Sequence, residues 1–112
     1  MHVKTSKSAE DGGDFDRMVS RIEKVDDHLP ELQALKLDVL IVTGNHSTPS
    51  RLGRRSWRPV TVILNATHCR PDTVCSFGER ACLAGGLGPR VATTDLIPLA
   101  MASAGRLRPF GA

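Results

Sequence analysis

Val39-Leu40-Ile41-Val42-Thr43-Gly44-Asn45-His46-Ser47-Thr48-Pro49-Ser50 decides how this chain is read, because a short apolar run stops at a glycine and hands over at once to polar side chains. Strands covered on both faces read as continuous apolar runs, and in open α/β sheets ligands sit outside the carboxyl ends of strands. The run therefore predicts a buried parallel strand over 39–43, with His46 standing where a site belongs. The competing reading is a surface loop after a core strand, with a chance histidine.

On the N-terminal side, Phe15, Met18, Val19, Ile22, Val25, Leu29 and Leu32 recur at steps of mainly three and four residues, which predicts a helix with one apolar stripe. Asp14 is its candidate cap, and Pro30 either kinks it or starts a second short helix before an end near Lys36. On the C-terminal side, Gly44 to Arg58 is a loop rich in Ser, Pro, Gly and Arg, the kind of segment on which functional groups are displayed. Pro59 to Leu64 is a second β-branched run, expected to lie beside the first. Asn65 to Asp72 reads as a turn, Glu79 to Leu83 as a short helix broken by Gly85-Gly86-Leu87-Gly88-Pro89, and Leu96 to Ala102 as a last helix. Thr94 or Asp95 can cap that helix, and Gly105 can end it.

A length of 112 residues permits one core at most, and 40% hydrophobic content with 4% aromatics and no tyrosine supplies few large anchors. A chain of this make-up is expected to be marginally stable alone. The net charge of +3 is mild, but Arg51, Arg54, Arg55 and Arg58 cluster around Trp57. Such a loop can bind phosphate backbones and stack on bases, and it can equally draw in small anionic substrates; the nucleic-acid reading is the weaker. Cys69, Cys75 and Cys82 are odd in number and lack Cys-x-x-Cys spacing, and no long apolar span or secretory signal stands out. Reduced thiols in a cytoplasmic, non-membrane protein are the expectation. His68 beside Cys69 is a poor metal pair, because neighbours at a strand end point to opposite faces. The glycine run is a poor phosphate cradle, because no apolar strand precedes it and no Lys-Ser or Lys-Thr follows.

A series of short words extends the reading: His2-Val3-Lys4, Asp14-Phe15, Val25-Asp26, Leu29-Pro30-Glu31-Leu32, Val42-Thr43-Gly44, His46-Ser47-Thr48-Pro49, Ser56-Trp57, Cys69-Arg70-Pro71-Asp72, Phe77-Gly78-Glu79-Arg80-Ala81-Cys82-Leu83, Thr94-Asp95-Leu96 and Ala104-Gly105-Arg106-Leu107. In order and spacing these words resemble the C-terminal part of the archaeal-type, cofactor-independent phosphoglycerate mutases of the alkaline phosphatase superfamily. The resemblance implies an α/β chain over 1–112, the C-terminal portion of an alkaline-phosphatase-like three-layer α/β/α fold with few strands and an incomplete sheet. It also implies a glycolytic, metal-dependent isomerase that interconverts 3-phosphoglycerate and 2-phosphoglycerate with two manganese or magnesium ions. Two ions suit such phosphoryl transfer because one can activate the nucleophile while the other stabilises the leaving oxygen.

Carried over residue by residue, the family's ligand positions are altered here. Where the resemblance implies Gly-Asp-His, the chain has Gly44-Asn45-His46, so Asn45 keeps an oxygen without the charge. Where it implies Ser-Trp-His-Pro, the chain has Ser56-Trp57-Arg58-Pro59, and a guanidinium has no lone pair for a metal. Near the N-terminus the family's aspartate and its partner four residues on fall on Lys7 and Asp11, or, one register over, on Ser6 and Glu10. The candidate metal residues are thus His46, Asp11 and Asn45, and the metal is expected to bind weakly or not at all.

The resemblance places the nucleophilic serine and the substrate lid outside these residues, so no catalytic residue is assigned. The expected function is a phosphoglycerate mutase-like C-terminal fragment, inactive alone. The alternatives are a non-catalytic module completing the sheet of another chain, with an N-terminal half or a second copy as partner, and an anion or nucleic-acid binder acting through the basic loop.

Overall fold

The computed structural model describes residues 14–108. These residues divide into two compact units, one comprising 14–36 and 45–59, the other 37–44 and 60–108.

In the first unit, helix α1 spans Phe15–Asp26 and helix α2 spans Leu29–Ala34. Asp14 begins α1 as expected: its Oδ1 accepts a hydrogen bond from the Arg17 amide at 3.1 Å, satisfying a donor that the first helical turn leaves orphaned. Pro30 lies in the first turn of α2, where its missing N–H costs nothing, so the chain has two helices rather than one kinked helix. The ring Nδ1 of His28, at the junction, lies 2.7 Å from the Lys24 carbonyl. Lys36 takes a left-handed conformation with φ of 49°, rare for a residue with a Cβ, and it closes the helical segment. The stripe on α1 is only partly covered. Met18, Val19 and Val25 are half-buried, whereas Phe15 and Ile22, seven residues apart on one face, are 62% and 66% exposed.

In the second unit, strands β1 (Val39–Thr43) and β2 (Val62–Ala66) form a two-stranded sheet, pairing Val39 with Ala66 and Thr43 with Val62. The pairing is antiparallel, which corrects the expectation of a parallel strand. A parallel neighbour needs a crossover, usually a helix, and residues 44–61 contain no helix. The expectation of full burial is also corrected: Val39 to Val42 are half-buried. The second strand runs two residues later than the apolar run suggests, so Asn65 lies in β2 rather than in a turn. Along β2, Val62, Leu64 and Ala66 are half-buried and Ile63 and Asn65 exposed, the period-two pattern of a sheet covered on one side.

Helix α3 (Glu79–Cys82) is a single turn. A 3₁₀ turn over Thr93–Asp95 leads into helix α4 (Leu96–Ser103), with no side-chain cap from Thr94 or Asp95. Leu96, Leu99, Ala100 and Ser103 form the half-buried side of α4, which packs on β1, while Ile97 is 68% exposed. Gly105 ends the helix with φ of 67°, as its position predicts. Arg106 Nη2 then pairs with Asp38 Oδ2 at 2.6 Å, tying the end of α4 to the start of β1. Both side chains are largely exposed, so the pair contributes at most about 1 kcal/mol. Asp72 holds the intervening loops: Oδ2 accepts from the Gly86 amide at 2.6 Å and Oδ1 from the Val74 amide at 2.9 Å.

Candidate functional site

The polar segment after β1 is held by its own backbone. The Ser56 amide donates to the Ser47 carbonyl at 2.8 Å within an isolated antiparallel bridge between these serines. Between them, the Pro49 carbonyl accepts from the Leu52 amide at 2.9 Å and the Gly53 amide at 3.1 Å, and Gly53 sits at φ of 57°, a conformation suited to a residue without Cβ. Ser56 Oγ accepts from the Arg58 amide at 3.3 Å. Ser47, 8% exposed, is the one buried residue among those described, which makes it an anchor of the loop rather than a displayed nucleophile.

Around this anchor the chemistry-bearing side chains face solvent. Asn45, His46, Arg51, Arg54, Arg55, Trp57 and Arg58 are all exposed, Trp57 at 83%. The bridge sets positions 46 and 57 one step beyond it on adjacent arms, with 45 and 58 a step further. The structure therefore joins Asn45 and His46 to the Ser56-Trp57-Arg58 word within one loop. Asp11, like Ser6, Lys7 and Glu10, lies outside the described residues.

Among the described residues no three His, Cys, Asp or Glu side chains are grouped as a metal site requires. His68 is exposed, and the Cys69 thiol donates instead to the Ala66 carbonyl at 3.1 Å, so that neighbouring pair makes no centre. Cys69, Cys75 and Cys82 are free thiols. In the second unit, the Gly86 amide, then the Val74 amide, hold the Asp72 carboxyl below its ordinary value. Nothing in the spacing of the sequence announced this tether, which joins residues 14 apart. Among the described residues no helix is long and apolar enough to cross a membrane.

The family model of the Metalloenzyme superfamily matches residues 1–103, and the chain belongs to that superfamily. It is 44% identical over all 112 of its residues to a probable 2,3-bisphosphoglycerate-independent phosphoglycerate mutase from Thermotoga neapolitana, of which it covers 28%. Over 99% of its length it is 41% identical to a protein of the same description from Thermus thermophilus, and over its whole length 42% identical to one from Aquifex aeolicus, covering 27% of each. Among solved structures it matches the PH0037 protein from Pyrococcus horikoshii with a TM-score of 0.87 and 30% identity, covering 99% of this chain and 30% of that one. The chain thus spans less than a third of the length of the relatives it matches, and the match to the mutases is to their C-terminal portion.

The superfamily is one of metal users, and the donor set of this loop does not fit a metal. Asn45 brings no charge, Arg58 offers no lone pair, and His46 is the one unaltered imidazole of the implied set in the loop.

Proposed function

We propose that this chain is the C-terminal part of a phosphoglycerate mutase-type fold in which the dinuclear metal centre has been dismantled, leaving a segment without mutase activity of its own. The observation that carries this reading is the contrast between 44% identity along the whole chain and the replacement of the implied ligand positions by Asn45 and Arg58. The scaffold is kept where packing is needed, and the chemistry is altered where a metal would sit. His46, Asn45 and, beyond the described residues, Asp11 are the remnants of the set. Interconversion of 3-phosphoglycerate and 2-phosphoglycerate, assayed with the purified chain in excess manganese, is expected to stay at the uncatalysed level. Measurable turnover that scales with protein concentration rejects the reading.

A second reading is favoured by the exposed apolar surface. Phe15, Ile22 and Ile97 are all more than 60% exposed, and each strand of the two-stranded sheet has an unpaired edge. These surfaces suit a segment that completes the sheet of a polypeptide supplying the N-terminal part of the same fold. Co-expression with the N-terminal part of the Thermotoga neapolitana relative is expected to give a co-purifying complex. Two proteins that purify apart count against this role.

A further inference from the structure

We infer that loop 45–59 is a metal-independent site for the phosphate group of a small anionic molecule, with guanidinium groups supplying the positive charge that a metal ion would otherwise bring; the inference rests on the dismantled-centre reading above. Residues 45–59 contain Arg51, Arg54, Arg55 and Arg58 and no carboxylate. All four arginines are exposed, and among the described residues none of their guanidinium groups is in an ion pair. Among the described residues nothing engages these donors, and nothing within the loop neutralises them.

Their carrier is organised before any ligand arrives. The Ser47–Ser56 bridge closes the loop, the Pro49 carbonyl fixes the turn through Leu52 and Gly53, and Ser56 Oγ holds the Arg58 amide. Arg54, Arg55 and Arg58 consequently sit on one short arm whose backbone need not be ordered on binding, which lowers the entropic cost of association. Each guanidinium presents a planar fork of N–H donors that matches two phosphate oxygens, a fit that an ammonium cannot make. The same property that disqualifies Arg58 as a metal ligand, a permanent positive charge with no lone pair, qualifies it as an anion partner.

A small phosphate fits this loop better than a nucleic acid strand. Non-specific strand binders track a backbone along a basic groove with successive aromatic platforms. Here the arginines fall within eight residues, Trp57 is the single tryptophan, and the whole chain carries only +3. A single phosphate group needs no such track.

The test uses the full chain in excess EDTA, titrated with inorganic phosphate at constant ionic strength while backbone amide resonances are followed. Saturable shifts confined to residues 45–59 are expected. The exposed-site variant Arg54→Gln/Arg55→Gln, checked by circular dichroism for an unchanged fold, is expected to weaken the response about tenfold, and Arg58→Gln to weaken it by a similar factor. The inference is overturned by any of three results: no saturable response, a response that appears only after manganese is added, or equal affinity in the well-folded variants. It is overturned as well if a single strand of about 12 nucleotides saturates the same resonances at far lower concentration, which assigns the loop to nucleic acid. Tight manganese uptake by the parent chain rejects the dismantled-centre reading, whereas absent phosphate binding without manganese uptake removes the anion site alone.

Discussion

The Ser47 carbonyl accepts the Ser56 amide at 2.8 Å, and this bond between two serines places the imidazole of His46 and the cation of Arg58 on adjacent arms of one closed loop. Both residues are positioned by backbone geometry and their side chains are exposed, so those side chains can be exchanged without remaking the scaffold. On the proposed reading, substitution at positions 45 and 58 removes a metal centre while the loop keeps its shape.

On the proposed reading, Asn45→Asp combined with Arg58→His is expected to move the loop toward metal binding. The pair removes a repulsive cation and adds one carboxylate and one imidazole beside His46. Manganese affinity measured by calorimetry is expected to rise at least tenfold over the parent chain. Arg58→His alone is expected to give a smaller gain, because Asn45 still brings no charge.

Asp72 makes a second prediction. Its carboxylate accepts from two backbone amides and is held below its ordinary 3.8 by the Gly86 amide first and the Val74 amide second. A depressed acid contributes stability that is fully present above 3.8 and is lost as pH falls through the lower folded value, because the unfolded chain binds the proton first. Hydrogen exchange at Gly86 and Val74 is expected to accelerate in Asp72→Ala at neutral pH, with the β1–β2 amides little changed. Unchanged exchange at both amides contradicts the tether.

Gly85 packs against that tether. A Cβ built there lies 3.2 Å from Asp72 Oδ2 and 3.2 Å from the Cys82 carbonyl oxygen, closer than ordinary van der Waals contact. Gly85→Ala is therefore expected to lower the thermal midpoint, whereas Gly78→Ala, whose Cβ meets nothing within 4 Å, is expected to be milder.

The cap on α1 is open to a direct test as well. Asp14→Ala removes the acceptor for the Arg17 amide and is expected to cost about 1 kcal/mol in denaturant unfolding. Asp14→Ser, which restores a short oxygen, is expected to recover most of the loss.

How far the sequence spoke depended on the range of each interaction. Asp14 as a cap and Gly105 as a terminator are local choices of backbone chemistry, and each was readable from the residue and its neighbours, whereas Pro30 left a kink and a new helix equally open until the structure showed the second. The direction of the β1–β2 pairing was not, since Val39 meets Ala66 through a partner 27 residues away and a continuous apolar run looks the same in either sense. Burial misled for a related reason: Val39 to Val42 have the composition of a strand covered on both faces, yet only half-burial is reached within this segment. Lys36 in the left-handed region and Asp72 across to Gly86 left no pattern in composition or spacing. The loop of Asn45 and His46 was readable because a glycine follows an apolar run; its closure through Ser47 and Ser56 was not.

Equilibrium binding of manganese to the full chain tests the central claim most directly, with His46→Ala as the reference for an isolated imidazole. Weak uptake is expected, far below stoichiometric at micromolar metal and reduced only modestly by His46→Ala. Two manganese ions bound tightly per chain, and released by that single substitution, would contradict it.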